Sequence, residues 1–378
     1  MGDIVLNSSK LYLVLLLLLL FSAARADIPL VLVGQSAHVS NTVAVQGSRA
    51  YLGSDATLLV LDISDPSRPV VLGQSQLLPA NIADVAVQDN FVYVADSDGG
   101  LRIFDVSNPA IPVIAGSFCT TGKAYGVAVS GDYAYIANWD IGLQIIDISK
   151  SDEPVSAGTF YMNSGSCSVA VSGRFAYVAD GSYGLEIIDV NNPAAPVRAG
   201  GFNTSGLATG VEIIGSIAYV ADGDSGLQII DVHNPAVPQR IGWYNTYGFA
   251  WDVAVAGSFV YMATDRAGLQ IVDISCPQAP VPVCLYNTDG RAIAAAAAGS
   301  FIFIADNGRG FLILRIGWPG DLEPDGNVDF DDLKHFARHW LQTGCDPPEG
   351  CSGADLNSSG GVNFKDFKRL ADNWFKGF

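Results

Sequence analysis

The sequence predicts an all-β seven-bladed propeller of four-stranded blades, followed by a small α calcium-binding domain. Three observations predict it. A block recurs every 42 residues or so, each copy holds four short strand-like runs, and the last sixty residues carry a tandem acidic-loop pattern of a different kind. The clearest copy of the block is YVADGDSGLQIIDVHNPAVP, Tyr219 to Pro238. Others read YVADSDGGLRIFDVSNPAIP from Tyr93 and YVADGSYGLEIIDVNNPAAP from Tyr177. The aspartate that ends the apolar run falls at Asp62, Asp105, Asp147, Asp189, Asp231 and Asp273, at spacings of 43, 42, 42, 42 and 42 residues. One further step reaches Arg315 after FLIL, so a seventh, altered copy follows. A fixed period of this length marks a repeat architecture.

The N-terminus reads as a processing signal, residues 1–26. Lys10 precedes an apolar stretch from Leu11 to Phe21, and Ala24-Arg25-Ala26 supplies a small-x-small cleavage site. The stretch is short for a membrane span. An exported protein is expected, extracellular, periplasmic or at the cell surface, with no membrane span after cleavage.

Residues 27–317 follow as the repeat domain. In the unit around Tyr219 the four runs are GVEIIG, IAYVAD, GLQIIDV and PQRIGWYNT, rich in Val, Ile and Tyr. Gly-Ser, Asp-Gly, Asn-Pro-x-x-Pro and Asn-Thr-x-Gly segments break them, all turn formers. Four strands in about 42 residues is the size of a propeller blade. The runs are apolar throughout because neighbouring blades cover both faces of each sheet. Gly184, Gly226 and Gly268 suit tight turns, and the run-ending aspartates suit Asx caps. The seventh copy stops at Trp318 without a fourth strand. Ile28 to Ser36, IPLVLVGQS, resembles RPVVLGQS, Arg68 to Ser75, so the N-terminal strand is expected to close the last blade and remove its open edge. Its Pro-to-Gly spacing is one residue longer, which predicts a bulge.

YVAD…GLxIIDV…NPxxP resembles the LVIVD repeat of exported bacterial and archaeal β-propellers, over about residues 27 to 317. That resemblance implies a propeller and a surface location, and carries no catalytic residues.

The C-terminal residues 318–378 hold two segments in one pattern, DLEPDGNVDFDDLKHFARHWL from Asp321 and DLNSSGGVNFKDFKRLADNWF from Asp355, offset by 34 residues. A calcium loop places oxygen ligands at positions 1, 3, 5, 7, 9 and 12, with glycine at 6 for a sharp turn. The first loop would use Asp321, Glu323, Asp325, the Asn327 carbonyl, Asp329 and Asp332. The second would use Asp355, Asn357, Ser359, the Gly361 carbonyl, Asn363 and Asp366. Ser359 replaces a carboxylate, so the second calcium site should be weaker. An amphipathic helix follows each loop, with Leu333, Phe336, Ala337 and Trp340 on one face, and Phe367, Leu370, Ala371 and Trp374 on the other's. The tandem loop-helix unit resembles a type I dockerin. The resemblance implies calcium as cofactor and a cohesin-like protein or surface component as partner. Cohesin-engaging dockerins often carry small hydroxyl residues at loop positions 10 and 11. Here Phe330, Asp331, Phe364 and Lys365 stand there.

The chain has 38 acidic against 20 basic residues, a net charge of −18. Such a surface repels nucleic acid. Cys276 with Cys284, and Cys345 with Cys351, flank short turns and suit disulfides in an exported chain. Cys119 and Cys167 suit small buried side chains. No nucleophile elbow, P-loop or dinucleotide motif occurs. Carboxylates recur at the Tyr-Val-Ala-Asp turns, at Asp96, Asp180, Asp222 and Asp306, in register with the repeat, which assigns them to turn building. The rim loops carry residues that vary between blades: Tyr125, Trp139, Tyr183, Tyr247, Phe249, Trp251 and Arg266. A non-catalytic binding scaffold is therefore expected, presenting an unknown protein or glycan site on the rim. The alternative is an extracellular glycoside-hydrolysing enzyme or accessory protein of polysaccharide catabolism using rim carboxylates.

Overall fold

Seven antiparallel sheets of four strands make up the repeat domain in the computed structural model, which describes residues 30–162, 165–316, 330–338, 356, 362 and 364–372. Each of six sheets is one repeat, its strands paired in chain order. In the fifth they are Gly210–Ile214, Ile217–Ala221, Leu227–Asp231 and Gln239–Tyr244. The innermost strands pack side by side around a ring, the seventh against the first, and leave an axial channel.

Side-chain alternation explains how the sheets stack. In Ile217–Ala221, Ala218 and Val220 face back into a cluster with Tyr177, Leu185 and Ile187 of the fourth blade. Tyr219 and Ala221 face forward into a cluster with Val253, Val260 and Met262 of the sixth. A period of two on a sheet covered on both faces gives an apolar strand without polar alternation.

The turns follow the sequence. Each run-ending aspartate accepts a hydrogen bond from the backbone N–H two residues on, at 2.7 to 3.0 Å, from Asp62 to Asp273. Gly184, Gly226 and Gly268 have φ of +82°, +70° and +85°, the left-handed region glycine enters freely.

The seventh sheet joins both ends of the domain. Leu30–Ser36 pairs antiparallel with Gly310–Ile316, from Leu30↔Ile316 to Ser36↔Phe311. The predicted closure is therefore present. So is its bulge, between Leu32 and Gly34, but the longer spacing is not its cause. Every other outermost strand shifts register at the equivalent place, one residue before a glycine or its counterpart.

That glycine is where blades touch. A Cβ on Gly200 would lie 1.9 Å from the Pro235 carbonyl oxygen in the next blade's Asn-Pro turn. Gly34 meets Pro66, Gly73 meets Pro109, Gly158 meets Pro193 and Gly242 meets Pro277 in the same way, at 1.9 to 2.4 Å. The sixth blade has Cys284 instead. The blade beyond it takes its outermost strand from the other end of the chain, so no Asn-Pro turn links its third and fourth strands.

Three cysteine expectations need correction. Cys276 and Cys284 do not pair. Cys276 stands in the turn three residues past Asp273, whereas Cys284 lies three residues into the strand past Val281, Asp273's partner. At ~3.3 Å per residue the two separate beyond the roughly 7 Å that a disulfide spans between Cα atoms. Cys119 is exposed rather than buried, because it follows the outermost strand Val113–Phe118 where other repeats place a loop asparagine. Cys167 is half-buried. Cys345 and Cys351 lie outside the described residues, as do residues 1–26.

Beyond the ring, two helices span Phe330–Arg338 and Phe364–Asp372. Phe336 and Leu370 are buried, and the Phe336 and Phe367 rings lie 6.0 Å apart. No helix among the described residues is long and apolar enough to cross a membrane.

Candidate functional site

The innermost strands place one residue per blade at the same point of the channel wall: Thr42, Asp84, Gly126, Ser168, Gly210, Asp252 and Ala294. Small residues fit a crowded axis. The two aspartates are exceptions, and Glu212, two residues beyond Gly210, is a third. Each holds the next blade by its backbone. Asp84 accepts from Val127 N–H at 2.9 Å, Glu212 from Val255 N–H at 2.6 Å, and Asp252 from Ala295 N–H at 3.0 Å. Asp84 also accepts from the Thr42 hydroxyl at 3.0 Å and from Val85 N–H at 2.8 Å, so it ties three blades together.

These three acids are half-buried. Desolvation pushes Asp84 up to about 6 and Asp252 up to about 7, outweighing the N–H bonds that favour the carboxylate. Burial raises Glu212 to about 7, and the nearby Asp252 charge adds to it.

The aspartates of the Tyr-Val-Ala-Asp turns are spent on the rim loops. Asp96, Asp180, Asp222 and Asp306 are all buried. Asp96 accepts from Ala80 N–H at 3.2 Å and Arg102 Nε at 3.0 Å. Asp180 accepts from the Ser166 hydroxyl at 2.8 Å, and Asp222 from the Thr204 hydroxyl at 2.5 Å and Gly206 N–H at 3.0 Å. Asp306 accepts from the backbones of Arg291 and Arg309 at 2.9 and 2.8 Å. Asn138 and Thr264 sit at matching places, the first donating to Thr121 O and the second to Gly268 O. A buried carboxylate that satisfies loop N–H groups fixes the loop.

Those loops surround a concave mouth of about 480 Å³ at one end of the channel, to which every blade contributes. Asp84 and Asp252 lie in its lining with Tyr125, Trp139, Trp251 and Arg291. The Tyr125 and Trp139 rings meet at 5.3 Å, and Phe249 and Trp251 at 4.5 Å. The Arg291 guanidinium is held by Asp265 at 2.5 Å. Of the rim residues chosen from sequence, Tyr125, Trp139 and Trp251 line the mouth, and the Phe249 ring packs on Trp251. Tyr183 and Tyr247 are exposed outside it, and Arg266 does not line it either.

Sequence reasoning missed Asp84, Glu212, Asp252 and Arg291. For the three acids the signal was a carboxylate at or near a strand position that other repeats fill with Gly, Ser, Thr or Ala. Of the twelve residues chosen for calcium, Asp332 and Asp366 are described, and both are buried, 1% and 0% exposed. Asp321, Glu323, Asp325, Asn327, Asp329, Asp355, Asn357, Ser359, Gly361 and Asn363 lie outside the described residues. Among the described residues no group of three His, Cys, Asp or Glu side chains gathers as a metal site.

Solved structures match over most of the chain. The β-propeller domain of Myceliophteria thermophila Cps50 (Swd1) matches at TM-score 0.65 and 13% identity, covering 76% of this chain and all of that one. U3-55K matches at 0.63 and 10%, covering 78% and 99%. The computationally designed Ika8 protein matches at 0.58 and 10%, covering 75% and 98%. At such identities the likeness is one of fold alone. No curated protein matches the sequence. The LVIVD repeat model matches six segments, residues 39–75, 81–120, 121–161, 165–204, 205–246 and 247–288, which are the six blades whose four strands run in chain order. The seventh blade, with its borrowed strand, escapes the model. With six matched repeats spread over most of its ring, the chain belongs to the LVIVD repeat family.

Proposed function

We propose that the protein is an exported, non-catalytic interaction propeller, presented to its surroundings by a calcium-loaded, dockerin-like tail. The ring offers a binding face at the channel mouth, and the tail attaches to a cohesin-like protein or a surface component. The observation that carries the binding role is the mouth itself, a rigid concavity on a closed ring whose aromatic lining differs from blade to blade. Binding sites are commonly loops held on a rigid scaffold. The nearby carboxylates already accept backbone hydrogen bonds, which suits them to architecture.

For the tail, support comes from the two position-12 residues. Asp332 and Asp366 each lie in the first turn of a helix and are buried. In a calcium loop the twelfth ligand sits where the following helix begins, and both residues occupy that place. Helices of nine residues are marginal alone in water, so metal binding would appear as folding.

Calorimetric titration of the full chain with calcium tests this, alongside circular dichroism in excess chelator. Binding heat, a gain of helicity and loss of one site in Asp332→Ala are expected. Equal helicity with and without chelator, and no heat, would refute the calcium-loaded tail.

A further inference from the structure

We propose that the channel mouth binds a neutral saccharide, its ring held between the aromatic walls of the third and sixth blades. The proposal rests on the binding role given above and names its ligand class.

Size comes first. A concavity of about 480 Å³ lies in the roughly 300–1,000 Å³ range of small-ligand sites. Its two aromatic walls stand three blades apart in a ring of seven, on opposite sides of the mouth. Tyr125 and Trp139 keep 37% and 41% of their surface exposed. The Trp139 indole lies close over Gly165, where an added Cβ would come within 2.6 Å of the ring. Its pose is therefore set before any ligand arrives. The C–H bonds on a pyranose face carry slight positive charge and meet the negative face of an aromatic ring, as aromatic edges do.

Hydrogen-bond demand comes second. The Trp251 indole N–H is buried with no acceptor among the described residues, and Trp251 lines the mouth. An unmet buried donor costs about 1–3 kcal/mol, which a ligand oxygen would relieve once the indole turns its N–H into the mouth. Asn81, Asn307, Ser97 and Ser168 in the same lining offer both donors and acceptors. Hydroxyl groups, which donate and accept alike, suit that mixture.

Charge comes third, and it argues against ionic ligands. Asp84 and Asp252 accept backbone N–H groups, and burial shifts both toward the neutral form, Asp84 to about 6 and Asp252 to about 7. Asp265 neutralises Arg291. A cation would have to compete with the N–H bonds, and an anion with the Asp265 carboxylate.

The experiment titrates the full chain calorimetrically with neutral trisaccharides of β-1,4-glucose, α-1,4-glucose, β-1,4-xylose and β-1,4-mannose. Tetralysine and a sulfated trisaccharide serve as charged arms. Binding of at least one neutral trisaccharide is expected, weakened about tenfold or more by Trp139→Ala. Trp251→Phe keeps a ring and removes only the N–H, and should weaken binding by roughly fivefold to tenfold. Trp243→Ala, on an outermost strand and 52% exposed, should leave it unchanged. Circular dichroism checks that each variant folds. No heat with any neutral trisaccharide, heat with tetralysine or the sulfated sugar alone, or affinity indifferent to both Trp139→Ala and Trp251→Phe would overturn the proposal. New reducing ends released from a sugar whose binding needs Trp139 would support the site and overturn the non-catalytic role instead. A calcium response without sugar binding would leave the tail standing and the site refuted.

Discussion

Replacing Gly200 with alanine tests how the blades meet. Gly200 has no positive φ, so the backbone itself accepts alanine. On an open surface such a change stabilises by about 0.4–1 kcal/mol through the unfolded chain. Here the new Cβ would sit 1.9 Å from the Pro235 carbonyl oxygen. Ordinary contact needs roughly 3.5 Å, so the turn and the strand must part by about 1.5 Å. The oxygen has little freedom. Val237 N–H donates to Asn234 O at 3.0 Å and Ala236 N–H to Asn234 Oδ1 at 3.3 Å, which fixes the turn. Overpacking of this kind costs about 1–3 kcal/mol, and backbone on both sides places Gly200→Ala near ~3 kcal/mol. With a urea slope of about 3 kcal/mol per molar, the midpoint followed by tryptophan fluorescence should fall by about 1 M. Cys284→Ala, at the equivalent position facing no Asn-Pro turn, should change stability by less than about 1 kcal/mol. A Gly200→Ala midpoint equal to or above that of the parent would refute the account of the blade contact.

Deleting Leu30–Ser36 should strip the outermost strand from the seventh blade, expose the edge at Gly310–Ile316 and cause aggregation, visible by light scattering; an unchanged melting temperature with a soluble monomer would contradict closure. The channel acids predict a pH dependence. Asp252 titrates at about 7 when folded against 3.8 ordinarily, so the folded ring binds its proton more tightly. That contribution to stability is full below about pH 4 and is lost as pH rises through about 7. The urea midpoint should fall from pH 5 to pH 8, and Asp252→Asn should flatten the fall; a variant with the parental slope would argue against it.

Much of the ring is legible from single residues because local chemistry makes it. Asp231 caps its own turn two residues away, and Gly226 bends the backbone where it stands. The closing strand is legible because it copies the spelling of the segment it replaces. The mouth is another matter. Asp84 and Asp252 lie 168 residues apart, and only the closing of the ring places them in one channel. Trp251 reads as one variable aromatic among several until the loops are folded around it. Cys276 and Cys284 looked paired because sequence separation was short, yet register along the strands sends them apart. The outer-strand glycines were visible, but their reason lies in the neighbouring blade's carbonyl.

The seventh blade also sets an order in time. Leu30–Ser36 is the first strand of the ring to be synthesised, and its partner Gly310–Ile316 is the last. Six sheets can form from contacts within their own forty residues, as soon as each has emerged. The closing ladder must bring together segments some 280 residues apart in sequence. Contacts so remote in sequence form slowly, since loop entropy is lost before any pairing is gained. Until then two unpaired edges coexist in one chain: the waiting LVLV strand and, at the end, the bare third strand of the last blade. Completion of the ring is thus tied to synthesis of Gly310–Ile316, and any truncated product that stops before Gly310 carries its first strand without a place to put it.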